Sequence, residues 1–405
     1  MSMPRTVEEH ALTIERMLEP LVAEAAIEAV PLAEAHGRVV AADVRSAVDL
    51  PLFRNSQMDG FAVRAADIAG APVALEVTGD IPAGHARPVQ LAAGTAIRIM
   101  TGAPVPDGAD TVVPVEDTEL VLGRDDDLQG AVVEVRLARR PGEFVRERGS
   151  DLRRGEVLVP AGTRLQARHL AALASAGVET VEVRARLRIA ILTTGSELVP
   201  TGGAAGFGQV FDANGVALAA LAEESGAVVS FRAATADVPA DFAAAVEEAV
   251  RTSDLVITSG GISKGAFEVV REVLQPRGAD VTSVAMQPGG PQATAVIDGV
   301  PVVCFPGNPV STQVSFAVFL RGPLRAAAGL PPVPTLQVRL REAVRSVPGR
   351  RQFLRGRLVG TGEAAPVSGS GSHLVAGMAR ADVLIDLPAE AEDVAAGSVV
   401  TVWTL

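Results

Sequence analysis

Apolar residues recur at helical spacing at Val7, Ala11, Ile14, Leu18 and Leu21, and Thr6 with Glu9 forms a capping-box pattern just ahead of them. The pattern predicts a helix within residues 6–30. "PLAEAHGRVVAADV" predicts a second short helix that stops at Gly37 and leads into a strand. From about 46 to 140 the period changes. Short β-branched runs such as "VALEVTGDIPAG" and "AVVEVRLA" alternate with Pro/Gly turns, which predicts a β-rich domain. "LGRDDDLQG" reads as an acidic hairpin tip or loop on the solvated surface. In the mixed stretch 141–180, "LQARHLAALASAGVETVEV" reads as a helix closed by Gly177 and followed by a strand. This piece is expected to pack with the N-terminal helices, which makes the β region an insertion.

From 187 to 330 strands and helices alternate regularly. "LRIAILTTG", "VVSFRAATAD" and "DLVITSGG" read as strands, each followed by a helical stretch. "VTSVAM", "TAVIDG" and "PVVCFPG" read as further strands before one long helix, "VSTQVSFAVFLRGPLRAAAG". Such alternation predicts an open, mostly parallel sheet with helices on both faces. Residues 331–405 lose the helical period and predict a small β domain, with strands near "LQVRLREAV", "QFLRGRLV", "DVLIDLP" and "SVVTVWTL". The expected chain is multi-domain, α/β plus β. Residues 1–45 with 141–180 form a helical/mixed domain, 46–140 an inserted β-rich domain, 181–330 the central α/β domain and 331–405 a C-terminal β domain.

Composition narrows the function. No apolar run among the 405 residues approaches the ~18 needed to span a membrane, and "MSMPRTVEEH" lacks the apolar core of a signal peptide. The single cysteine, Cys304 in "VPVVCF", excludes an internal disulfide, fits a reducing cytoplasm and reads as a buried structural thiol. A net charge of −12 argues against nucleic-acid binding. It leaves room for a small anion, because backbone dipoles and a few arginines override the global field locally. The five histidines show no paired zinc-ligand spacing.

In an open α/β sheet, ligands sit beyond the carboxyl ends of the strands. Four loops emerge there: "TTGSEL" (193–198), "TADVP" (235–239), "TSGGISKG" (258–265) and "FPGNPVS" (305–311). Two are glycine-rich, and the last leads straight into a helix, whose N-terminus favours an anion by about 0.3–1 kcal/mol. The pocket reads as a phosphate or carboxylate site. Its expected ligand-facing residues are Thr194, Gly195, Ser259, Gly260, Gly261, Ser263, Lys264, Pro306, Gly307, Asn308, Pro309 and Ser311. Three acids, Glu197, Asp237 and Glu268, fall in or beside these loops. Carboxylates beside an anion make sense when a divalent cation bridges them, and magnesium, with its preference for oxygen ligands, is the expected one. The plainer alternative has Glu197 and Glu268 capping helices and Asp237 in a turn.

These loops, in this order, resemble the MoeA family of molybdopterin molybdenumtransferases, whose animal counterpart is the E domain of gephyrin. "NSQMDGFAVR" (55–64), "IRIMTGAPVPDGADTVV" (97–113) and "RERGSDLRRGEVLVPAGTRL" (146–165) carry the resemblance outside the sheet domain, and "GSGSHL" matches weakly. The resemblance implies a MogA-like central domain, a barrel-like C-terminal domain and an elongated homodimer. It implies insertion of molybdate into adenylated molybdopterin with release of AMP, dependence on Mg2+, and a MogA-type adenylyltransferase as a candidate partner. It places the family's functional acids on Asp59, Asp151, Glu197 and Asp237, and its threonine on Thr101.

One stretch departs from the family. Where it usually reads Lys-x-x-x-Lys-Pro-Gly-Lys-Pro, this chain reads "SVAMQPGGPQ", leaving Ser283, Gln287 and Gly290 where cations would stand. Lys264, the only lysine beside thirty-five arginines, either restores one charge beside a phosphate cradled by Gly260 and Gly261 or is an incidental surface residue. Arg350, Arg351 and Arg355 of "GRRQFLRG" read as a solvated basic edge strand or as phosphate ligands, and Ser372 is a weaker candidate. The acids favour an active insertase. The absent lysines leave a catalytically weak or inactive paralogue, acting in pterin binding or scaffolding, as the alternative. A MogA-like adenylyltransferase accounts for the central domain alone.

Overall fold

The computed structural model describes residues 3–84, 87, 89–124, 127–262 and 268–405. The chain divides into two compact units, residues 29–182 and residues 1–28 with 183–405.

The first unit is built on a six-stranded sheet in the order Thr111–Pro114, Gly60–Val63, Thr95–Ile99, Val73–Ile81, Asp127–Val135, Thr118–Arg124. The period-2 alternation sends Phe61 and Val63 to one apolar cluster and Ala62 to another. Gly60 is required by close approach, since a Cβ there would lie 2.0 Å from the Val113 carbonyl oxygen. Short ladders complete the unit. Val44–Arg45 pairs with Val157–Val159, and Asn55–Ser56 pairs with Val145–Arg146.

The second unit holds two six-stranded sheets. In the first, Val228–Thr235, Arg188–Thr194, Leu255–Ser259 and Val300–Phe305 run parallel, followed by antiparallel Pro291–Ile297 and Asp280–Ser283. Alternation again divides the core: Ile189, Ile191 and Ile257 face one layer of helices, and Ala190, Leu192 and Val256 the other. Cys304 lies fully buried on the second of these sides, as expected, and burial pushes its thiol pKa up to about 12. The helical run after Phe305 contains a π stretch, Phe316–Leu320, between Pro309–Ser315 and Arg321–Ala327. Pro323 supplies the reason, because its ring clashes with the carbonyl four residues back and a wider turn relieves the conflict.

The first helix spans Val7–Ala23 with both capping-box bonds formed by Thr6 and Glu9. It is shorter than the 6–30 expected, because the chain turns into strand Ile27–Pro31. Its buried face, Val7, Ile14 and Leu18, joins the core that contains Ile189 and Phe319.

The predicted strand "VTSVAM" is two strands. Asp280–Ser283 stays in the α/β sheet, and Met286–Gln287 pairs in parallel with Arg351–Gln352 of the second sheet. That second sheet closes on itself. Arg351–Val359, Glu363–Pro366, Thr335–Leu340, Val399–Thr404 and Val383–Leu387 neighbour one another in turn, and the last pairs back with the first. The C-terminal residues thus form a barrel around Val338, Leu354, Ile385 and Val402.

Candidate functional site

The parallel strands deliver their following loops to one edge of the sheet, and glycines let the loops touch. Gly260 (φ +105°) and Gly261 (φ +61°) occupy the left-handed region, and a Cβ on Gly260 would lie 2.3 Å from the Thr194 carbonyl oxygen. A Cβ on Gly307 would stand 3.3 Å from Gly260 Cα. The loops are also stitched by hydrogen bonds. The Gly195 amide donates to Thr235 O at 3.1 Å and the Gly260 amide to Phe305 O at 3.1 Å. Asn214 Nδ2 donates to Ser259 Oγ at 2.9 Å and to Gly307 O at 2.7 Å, and Thr312 Oγ1 donates to Pro306 O at 2.6 Å. Asn214 has no role in the sequence reading. Its signal is the "DANG" start of a helix, where Asp212 Oδ1 accepts from the Gly215 amide and places Asn214 in the first turn.

These loops line a cavity of about 890 Å³. Thr194, Gly195, Ser259, Gly260, Gly261, Pro306, Gly307, Asn308 and Ser311 border it; Pro309 begins the adjoining helix without doing so. Ser263 and Lys264 lie outside the described residues. The lining also includes the 283–291 stretch, with Ser283, Gln287 and Gly290, together with Arg350 and Ser370–His373.

Glu197, Asp237 and Glu268 all border the cavity, in different states. Asp237 closes its own loop: Oδ1 accepts from Thr194 Oγ1 and Oδ2 from the Ser196 amide, both at 3.0 Å, while its amide donates to Ser196 Oγ at 3.1 Å. Glu197 caps no helix. It precedes strand Leu198–Val199, and its carboxylate folds back over Gly195. Glu268 stands at the N-terminal cap position of helix Val269–Leu274 without a side-chain capping bond. Among the described residues no three His, Cys, Asp or Glu side chains gather closely enough to cage a metal. The expected three-carboxylate bridge is therefore not preassembled, and Asp237 shows why, since both its oxygens already hold the loop.

Among the described lining residues Arg350 is the one arginine or lysine. The edge-strand reading of "GRRQFLRG" does not hold, because Arg351–Val359 has neighbours on both sides. Arg355 is fully buried, and its guanidinium donates to Ser368 Oγ and to the carbonyls of Gly369 and Gly371. It shapes the loop that brings Ser372 to the cavity. Arg351 is held by Asp386 and Glu8.

In the other unit, "NSQMDG" and "MTGAP" are neighbours. The Thr101 amide and hydroxyl both donate to Asp59 Oδ1, at 2.6 and 2.7 Å. The backbone bond first, and then the hydroxyl, hold the Asp59 carboxyl below the usual carboxylate range. Asp151 lies exposed in a turn, its amide donating to Leu50 O at 3.0 Å.

Three family models match in chain order: the MoeA N-terminal region (domain I and II) over residues 5–177, a probable molybdopterin binding domain over 190–326, and the MoeA C-terminal region (domain IV) over 337–405. The chain is 39% identical to molybdopterin molybdenumtransferase 2 of Mycobacterium tuberculosis, covering 99% of this chain and 100% of that protein. It is 37% identical to the molybdopterin molybdenumtransferase of a Nostoc species over 80% of this chain and 75% of the relative. The crystal structure of a molybdopterin biosynthesis MoeA protein from Pyrococcus horikosii superposes with a TM-score of 0.78 at 33% identity, covering 96% of this chain and 98% of that one. With relatives and fold agreeing along its whole length, the chain belongs to the MoeA family.

Proposed function

We propose that this enzyme, a molybdopterin molybdenumtransferase of molybdenum cofactor biosynthesis, takes adenylated molybdopterin and molybdate as substrates and releases AMP. The observation that carries this reading is the Glu197 carboxylate folded over Gly195, inside a cavity of about 890 Å³ walled by glycine loops. The amides of Gly261, Gly307 and Asn308 suit a phosphate, and the 283–291 stretch suits the pterin. Arg350 supplies a cation to the cavity.

Magnesium suits this donor set as an ion that arrives with substrate oxygens. It typically keeps one or two protein carboxylates and fills its shell with phosphate oxygens and water. Glu197 and Glu268 would hold it, and it would neutralise phosphate charge. Glu197 also positions the oxygen nucleophile that attacks the phosphoanhydride, while Asp237 keeps the 194–196 loop in place. Asp59, Thr101 and Asp151 belong to the same reaction by their motifs. The further parts of the reading are a homodimer, a cytoplasmic setting, supply of the pterin by a MogA-type adenylyltransferase, and four domains with boundaries near 45, 140, 180 and 330. No helix of the described residues is long and apolar enough to cross a membrane.

The alternative, a weak or inactive pterin-binding paralogue, is favoured by one observation: three acids and a single arginine line the described cavity. Purified protein with adenylated molybdopterin, molybdate and magnesium decides between them. Molybdate-dependent AMP release that is lost in Glu197→Ala supports the insertase. Tight pterin binding without turnover supports the paralogue.

A further inference from the structure

Arg351 is adjacent to the cavity-lining Arg350, and each of its guanidinium nitrogens donates to an acid elsewhere. Nε and Nη2 donate to the two oxygens of Asp386 at 2.8 and 2.5 Å, and Nη1 donates to Glu8 Oε1 at 2.5 Å. The group lies 5.4 Å from the Phe353 ring centroid. Asp386 is only 7% exposed and also accepts from Trp403 Nε1 at 3.0 Å. One side chain thus joins the first helix, through Glu8, to the barrel, through Asp386.

The backbone beside it is the cavity wall. The Arg351 amide donates to Ala285 O at 2.9 Å, and Gln352 Nε2 donates to Gln287 Oε1 at 3.2 Å. The chain just before the first helix grips the same wall, since the Arg5 amide donates to Ser283 O at 2.9 Å and the Ala285 amide to Arg5 O at 2.8 Å. Arg351 does not line the cavity, and each of its guanidinium nitrogens already donates to an acid, so its role there is not that of the anion ligand.

We propose that Arg351 is a positioning residue: by locking the first helix to the barrel it fixes Arg350 and the 285–287 wall, and so sets affinity for the anionic substrate. This rests on the function proposed above. Its planar fork matters, because lysine cannot hold Asp386 through two parallel bonds while reaching Glu8.

The test compares Arg351→Met, Arg351→Lys and Glu8→Gln with the unmodified enzyme. The dissociation constant of adenylated molybdopterin is measured first, then KM and kcat with molybdate and magnesium. Arg351→Met is expected to raise the dissociation constant and KM about tenfold while kcat per folded enzyme stays within about twofold, since misplacement weakens binding contacts and leaves the reacting groups intact. Arg351→Lys should fall between, and Glu8→Gln should raise KM about threefold. Folded Arg351→Met with an unchanged dissociation constant overturns the inference. So does a loss confined to thermal stability. If Arg351→Met does not fold, Arg351→Lys and Glu8→Gln, which keep a charged partner for Asp386, decide by the same readings. Failure of the unmodified enzyme to bind the pterin refutes the function itself and is read separately.

Discussion

Both carboxylate oxygens of Glu197 lie 2.8 Å from the point where a Cβ on Gly195 would stand. Gly195→Ala is therefore a way to move Glu197 without touching its chemistry. The backbone of Gly195 lies outside the left-handed region, so the added methyl introduces no strain of its own. We expect kcat to fall on the order of ten- to a hundredfold with a nearly unchanged melting temperature. Full activity in Gly195→Ala would show that the observed Glu197 rotamer is not the working one.

The twofold grip of Thr101 on Asp59 predicts a titration. Asp59 has a depressed pKa, so the folded form holds its carboxylate charged at pH values where the unfolded chain is already protonated. Its contribution is present above the ordinary carboxylate range and is lost as pH falls through the lowered value. Thr101→Ala removes the hydroxyl bond and keeps the amide bond. The Asp59 carboxyl resonance should then titrate at higher pH than in the parent, yet still below an ordinary aspartate. Thr101→Ser should restore the parent curve. Identical curves in all three would place the effect elsewhere.

His10 makes the fold acid-sensitive. It is fully buried, edge-on to Phe319 with ring centroids 4.8 Å apart, and neither ring nitrogen has a hydrogen-bond partner among the described residues. Burial first, then nearby Arg5, depress its pKa from 6.5 to about 4, with Asp280 opposing. Between those values the unfolded chain holds the extra proton, so stability falls as pH drops through the window, by on the order of 3 kcal/mol in all. Urea melts at pH 7, 5.5 and 4 should show this slope, and His10→Leu should flatten it. An equally steep slope in His10→Leu would remove His10 as the cause.

Gly290 offers a gain-of-charge experiment. Its φ lies outside the left-handed region, and a Cβ there would meet Val284 O at an ordinary 3.4 Å. Gly290→Lys should fold normally, bind adenylated molybdopterin several-fold tighter at low salt, and lose that gain as salt rises. No change at any ionic strength would mean that this wall does not face the anion.

Much of this was legible in the residues. The continuous apolar runs Ile189–Leu192 and Leu255–Ile257 mark buried strands, and the glycine loops after them mark the ligand edge. Periodicity was silent about partners. It showed the apolar stripe of the first helix, and not that Val7 and Leu18 join the core around Phe319. It merged Asp280–Ser283 with Met286–Gln287, because a break at residues 284–285 made by bonds to Arg5 leaves no local pattern. The arginines of "GRRQFLRG" divide for the same reason: Arg350 lines the cavity as one of the two readings has it, while the edge-strand reading fails. Only the tertiary structure shows that Arg355 is sealed under Ser368 and that Arg351 is claimed by two acids.

The short strand Met286–Gln287 has a consequence for modularity. It is encoded among the elements of the α/β sheet and hydrogen-bonded into the C-terminal barrel, while its flanking residues wall the cavity. A fragment ending before the barrel would keep every glycine loop and yet leave this strand an unpaired, adhesive edge. The α/β module thus does not complete the cavity by itself: the last seventy residues add to a pocket whose recognisable motifs nearly all lie upstream of them.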